Sequence, residues 1–178
     1  VIDGANNSVA TVAAGVGPSA VAINPVTDKI YVANYDSNNV TVIDGANNTT
    51  TTVAAGTGPF AVAINPVTNR IYVANDNSAN VTVINGATNS VTTVAAGTNP
   101  RAVAINPVTN KIYVANFISN NVTVIDGASN SVTTVAAGAS PSAVAINQVT
   151  NKIYVANFSS SNVSVIDGAT NSVSTVTT

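Results

Sequence analysis

Asn106-Pro-Val-Thr-Asn-Lys-Ile-Tyr-Val-Ala-Asn116 is the stretch on which the fold turns. Pro107-Val-Thr-Asn110 has the residues of a tight reversal, and Ile112, Tyr113 and Val114 are strand formers with no polar alternation. A strand that is apolar on both faces has to be covered on both. The same stretch recurs around Pro25 and Pro66, and once more with Gln148 in place of the proline. Pro18, Pro59, Pro100 and Pro141 stand 41 residues apart, and Val-Ile-Asp/Asn-Gly starts in one register at Val1, Val42, Val83, Val124 and Val165. Pro59–Asn99 and Pro100–Ser140 agree at 32 of 41 positions, the mark of recent duplication. A fixed period of this length signals a repeat architecture.

Each copy holds four short β-rich runs: Ala102–Asn106, Lys111–Ala115, Val122–Ile125 and Ser131–Val135. Pro107–Asn110 and Asp126-Gly-Ala-Ser-Asn130 join them with hairpin chemistry, so neighbouring strands run antiparallel in an up-and-down meander. A parallel β-helix, the competing β repeat, lacks such reversals. The first two strands are apolar throughout and the fourth mixes Thr with Val, which puts the first strand innermost and the fourth nearest solvent. The expected fold class is therefore all-β, with tandem four-stranded antiparallel blades of a β-propeller, four complete and one partial. Helices are excluded by the dominance of Pro, Gly, Asn and β-branched residues.

Composition narrows the chemistry. The 178 residues are 46% hydrophobic but only 7% charged, with net charge -2 and no Cys, His, Met or Trp. No thiol nucleophile, imidazole base or usual transition-metal site can be built, and the basic charge is too small for a phosphate-tracking surface. No nucleic-acid partner, catalytic residue, metal or cofactor is expected. No run of 18 apolar residues occurs, so no membrane span is expected. Val1 opens in mid-pattern, so a processed product or a piece of a longer chain is expected.

Asn106–Asn116 followed by Ser119-Asn-Asn-Val-Thr-Val-Ile-Asp-Gly127 closely resembles the YVTN-type β-propeller repeat of prokaryotic surface and secreted proteins. The motif recurs four times and the resemblance covers the whole chain, with Gln148 and Asn85 as small departures. It implies a non-enzymatic structural scaffold, extracellular or at the cell surface. Some related propellers carry redox cofactors, but the missing His, Cys and Met speak against haem.

Residues 18–58, 59–99, 100–140 and 141–178 each supply four strands, whereas 1–17 supply only the end of a third strand and a fourth. Because the last blade owns its fourth strand, the N-terminal piece cannot close a ring by completing it. Three arrangements follow: part of a larger ring or open array, a ring closed by copies of itself, or a lone four-blade ring with little filler from its Ala-rich strands. An uncharged open sheet is an association template, so the expected partners are copies of the chain or further blades.

The copies differ mainly at one end. Turns Pro66–Asn69 and Pro107–Asn110 are identical, while the second-to-third-strand turns and the blade-to-blade loops vary. Tyr35, Asp36, Phe60, Asp76, Asn77, Arg101, Phe117, Ile118 and Phe158 fall there, and exposed aromatics with an Arg are raw material for recognition of a glycan or surface protein. Drift in exposed loops is the competing explanation. The Asp-Gly pairs at Asp3, Asp44, Asp126 and Asp167 offer one carboxylate per repeat and read as turn caps rather than calcium ligands. Lys29, Arg70, Lys111 and Lys152 share one repeat position and read as gatekeepers that keep an uncharged β surface soluble. Asn39, Asn80, Asn121 and Asn162 each open an N-glycosylation pattern.

Overall fold

The computed structural model describes residues 1–177; Thr178, at the end of the fourth blade, lies outside the described residues. Sixteen strands follow in chain order: β1 (Pro18–Asn24), β2 (Lys29–Asn34), β3 (Asn39–Asp44), β4 (Thr50–Ala54), β5 (Pro59–Asn65), β6 (Arg70–Asn75), β7 (Asn80–Asn85), β8 (Val91–Ala95), β9 (Pro100–Asn106), β10 (Lys111–Asn116), β11 (Asn121–Asp126), β12 (Val132–Ala136), β13 (Pro141–Asn147), β14 (Lys152–Asn157), β15 (Asn162–Asp167) and β16 (Val173–Thr177). They form four separate four-stranded sheets, each with its strands in sequence order and all pairs antiparallel. Among the described residues no helix is long and apolar enough to cross a membrane.

Turn chemistry sets this meander. In the first hairpin turn Asp28, Asn69, Asn110 and Asn151 take left-handed backbone conformations with φ between 50° and 52°, which Asn and Asp tolerate better than other side chains. In the second hairpin Asp44 accepts the Ala46 amide at 3.0 Å and Asp126 accepts the Ala128 amide at 3.0 Å. Asn85 accepts the Ala87 amide in the same way at 2.9 Å, so the job needs an Asx oxygen and not a charge. The Asp residues are therefore caps.

Blades stack face to face. β1 packs on β5, β5 on β9 and β9 on β13, so the innermost strands line a common axis, while only one residue of each of β4, β8 and β12 is buried. Three apolar clusters fill the joints. In the first, Tyr31, Ala33, Val40 and Val42 of one blade meet Ile71, Val73 and Ile84 of the next, and the same set repeats around Tyr72 and Tyr113. Burying residues of this size contributes about 1.5–3 kcal/mol each relative to exposure, so a single blade without a neighbour lacks most of its core.

The arc is open, and the lone four-blade ring is not formed: no packing comparable to the inner-strand joints connects β13 with β1. Tyr31, Tyr72 and Tyr113 are fully buried, whereas their counterpart Tyr154 is 42% exposed, since among the described residues no further blade packs on it. At the other end Val21 and Ile23 are exposed, and residues 1–17 cover that face only in part. This N-terminal segment, expected as the end of a third strand and a fourth, is a hairpin with an isolated antiparallel bridge between Ile2 and Val9. Among the described residues no second strand pairs with it, and Ile2 and Val9 are exposed.

Candidate binding face

The variable residues gather at one end because an invariant frame ties two loops together there. Tyr35 N donates to the Gly17 carbonyl at 2.7 Å, Asp76 N to Gly58 at 2.8 Å, Phe117 N to Asn99 at 2.8 Å and Phe158 N to Ser140 at 3.0 Å. The second-to-third-strand turn of each blade is thus hydrogen-bonded to the loop that enters it. Gly58 takes φ +66°, which lets that loop reverse without strain. Behind this frame Asn75 Nδ2 donates to Asn80 Oδ1 at 2.7 Å and to Thr82 Oγ at 2.8 Å, while Thr82 Oγ accepts the Gly56 amide at 3.1 Å. Equivalent bonds hold the other three blades. The Asn-Val-Thr/Ser patterns are therefore interior polar clusters, with Thr41, Thr82, Thr123 and Ser164 buried.

On this frame the side chains make a continuous strip across all four blades. Tyr35 meets Phe60 edge-on, with ring centroids 6.3 Å apart. The Arg101 guanidinium carbon lies 5.9 Å from the Phe60 centroid and 4.2 Å from that of Phe117, and Phe117 lies 6.5 Å from Phe158. A guanidinium within about 6 Å of ring faces is attracted by their quadrupoles. Arg101 is fixed from below as well, its Nε 3.3 Å from Asp76 Oδ1. Phe60 is 40% and Phe158 74% exposed, so the outer side of the strip faces solvent.

The other sequence candidates separate by role. Asp76 is buried and accepts Asn99 Nδ2 at 2.7 Å as well as Arg101, so it braces the strip from beneath. Asn77 donates its amide to the Tyr35 hydroxyl at 2.9 Å, and Ile118 stands exposed beside Phe117. Asp36 is exposed beside Gly17 and outside the ring contacts. Sequence reasoning missed Asn99, whose only signal is that it replaces the glycine of Gly17 and Gly58 at the same repeat position.

The cations shared by all repeats have a different task from the one expected. Lys29 Nζ donates to the Gly86 carbonyl at 3.1 Å, Arg70 Nη1 to Gly127 at 3.0 Å and Lys111 Nζ to Gly168 at 2.9 Å. Each is a staple into the following blade rather than a solvent-facing gatekeeper. Beside them Asn24, Asn65 and Asn106 donate their amides to Asn69, Asn110 and Asn151 of the next blade at 2.8–2.9 Å. Burial raises the Tyr31, Tyr72 and Tyr113 phenols above their usual range, with Asp167 adding to the effect at Tyr113. Turn amides and the Ser129 hydroxyl lower Asp126, while Lys152 and turn amides lower Asp167.

No family model and no curated protein matches the chain. Solved structures do match in shape. A Kuenenia stuttgartiensis hydrazine synthase superposes with a TM-score of 0.80 at 22% identity, covering 95% of this chain and 52% of that one. A structure of U3-55K gives 0.78 at 14% identity, covering 91% and 52%, and a nidogen/laminin complex gives 0.74 at 11%, covering 90% and 65%. The fold is a β-propeller. At these identities the likeness extends to the fold alone, and the chain spans about half the length of the first two matches. The YVTN repeat remains a resemblance of sequence.

Proposed function

We propose that the chain is a non-enzymatic scaffold of the extracellular space or the prokaryotic cell surface, built of propeller blades that associate through the open ends of the arc. The observation that carries this reading is Tyr154. Its three counterparts are fully buried by the next blade, and it alone presents that joint surface to solvent at 42% exposure. The YVTN-like repeats and the low charge support the location, and the absence of His, Cys, Met and Trp supports a role without catalysis. Light scattering across a concentration series tests it: mass rising with concentration is expected, and a monomer at every concentration removes the associating part.

The strip from Tyr35 to Phe158 favours a second reading, a binding module for a glycan or protein on the variable face. Braced aromatics around a guanidinium offer a wide surface at low entropic cost. Replacing Phe60, Phe117 and Phe158 together by Ser should abolish capture on a glycan array or an immobilised surface partner. Unchanged capture, or none by the parent chain, sinks this reading.

A further inference from the structure

The chain makes the same joint three times inside itself, and among the described residues its first and last blades hold the two unmated halves of a fourth. Each internal joint takes a cation, an asparagine amide and a buried tyrosine from one blade. It takes a glycine carbonyl, an asparagine oxygen and an Ile-Val surface from the next. In the last blade the donor half consists of Lys152, Asn147 and Tyr154. Lys152 has turned back onto its own blade, 2.7 Å from Asp167 Oδ2, while Asn147 and Tyr154 are exposed. In the first blade the acceptor half consists of Gly45, residue 28, and Ile30, Val32 and Ile43 around a cleft of about 510 Å³.

Residue 28 distinguishes this half from the three internal ones. Where the second, third and fourth blades have Asn69, Asn110 and Asn151, the first has Asp28, exposed and in contact with Gly45. The internal staples end on the carbonyl of the glycine equivalent to Gly45, so a lysine reaching that carbonyl arrives beside the Asp28 carboxylate. The open acceptor thus bears a negative charge where the open donor bears a positive one, and an ion-assisted hydrogen bond is roughly twice as strong as a neutral one.

Resting on the self-association proposed above, we infer that the last blade of one molecule docks on the first blade of a second copy, in register with the internal joints. Lys152 is held by the Gly45 carbonyl and Asp28, Asn147 donates to Asp28, and Tyr154 lies over Ile30 and Val32. Residues 1–13 stand in the way, because they lie at the repeat positions that residues 165–177 of the incoming blade hold, and Val1, Ile2 and Val12 line the cleft. The two segments agree at 10 of 13 positions. The resident hairpin is the weaker occupant, with one bridge and an exposed Ile2 and Val9, so it is displaced. Made twice between two molecules, the joint closes eight blades, within the usual range of propellers. Made in one direction only, it builds a filament.

The test uses the full chain, light scattering and a carbodiimide, which joins a lysine to a carboxylate only where they touch. The expected results are a Lys152–Asp28 amide in the covalent dimer and an association constant about tenfold or more lower in Lys152→Glu, the loss typical of a charged hydrogen bond. Association should recover in the charge-exchanged Lys152→Glu/Asp28→Lys double variant. Association that persists undiminished in Lys152→Glu, or a parent dimer that carries no Lys152–Asp28 amide, overturns this joint while leaving self-association intact. The same amide in a monomer shows the arc closing on itself and also overturns it. No association at any concentration removes the underlying reading as well.

Discussion

Ala79 is the one alanine held in a left-handed backbone conformation, with φ 49° in the turn between β6 and β7. Its counterparts in the other blades are Asn38, Asn120 and Ser161. An L-alanine in this conformation costs roughly 1–2 kcal/mol, which glycine recovers at the expense of about 0.4–1 kcal/mol of added freedom in the unfolded chain. Ala79→Gly should therefore stabilise by about 0.5 kcal/mol on these figures. Asparagine adds a bond. Asn38 Oδ1 accepts the Gly58 amide at 2.9 Å and Asn120 Oδ1 accepts the Ser140 amide at 2.8 Å. The matching donor in the second blade is the Asn99 amide, which alanine cannot meet. With about 0.5–1.5 kcal/mol for that hydrogen bond, Ala79→Asn should gain about 1.5 kcal/mol in all. For Ala79→Asn, urea unfolding should show a midpoint shift of about 0.5–1.5 M, given slopes of about 1–3 kcal/mol per M. Hydrogen exchange should place the added protection around β6, β7 and the loop entering the third blade. Equal gains for Gly and Asn would refute the proposed bond, and no gain from either would refute the conformational cost assigned to Ala79.

Other outcomes follow from the joints and turns. Arg70→Ala should destabilise by about 1–2 kcal/mol, while Arg70→Lys should lose little because Lys29 and Lys111 make the same staple; urea unfolding separates the two. Asp126→Asn should keep the turn bonds, as Asn85 does, and lose only what the charge adds, whereas Asp126→Ala should destabilise more through its lost turn bonds; urea unfolding ranks the two. Stability should stay level between about pH 5 and 9 and fall on both sides. On the acid side Asp126 and Asp167 have lowered pKa values, so their contribution is complete above the ordinary carboxylate range and is lost as pH falls below it. On the alkaline side Tyr31, Tyr72 and Tyr113 are raised, so the unfolded chain releases protons first and stability drops beyond about pH 10; ultraviolet difference spectra of the phenols should follow the same curve.

The blades were legible because a period of 41 residues, β-branched runs and Asn-rich turns all point to the same meander. The inward first strand and the shared end of the variable loops were readable from strand polarity and alternation. The staples were not, since Lys29 and Gly86 lie 57 residues apart and a cation on an apolar repeat reads equally well as a solubilising edge residue. The Asn-Val-Thr pattern matches the N-glycosylation acceptor by residue type alone, whereas its fold role is to supply interior oxygens for Asn75 and its equivalents. Of the candidate face, the aromatics and Arg101 could be named from composition. Their contact could not, because it depends on how far each blade turns from the last, and the same turn buries Asp76 as a brace beneath the strip. Asp28 is legible as the single acid at a repeat position otherwise held by Asn, but only the joints give that difference a meaning.

Every joint draws its donors from one repeat and its acceptors from the next, at the same positions each time. Recombination between two such repeats, in frame, removes or adds a whole blade while leaving each surviving joint chemically unchanged. Arc length is thereby separated from fold stability: a lineage can explore open, closed and overlong versions of the molecule through single genetic events. What limits the drift is geometry, because only certain blade numbers bring the two ends of an arc into register.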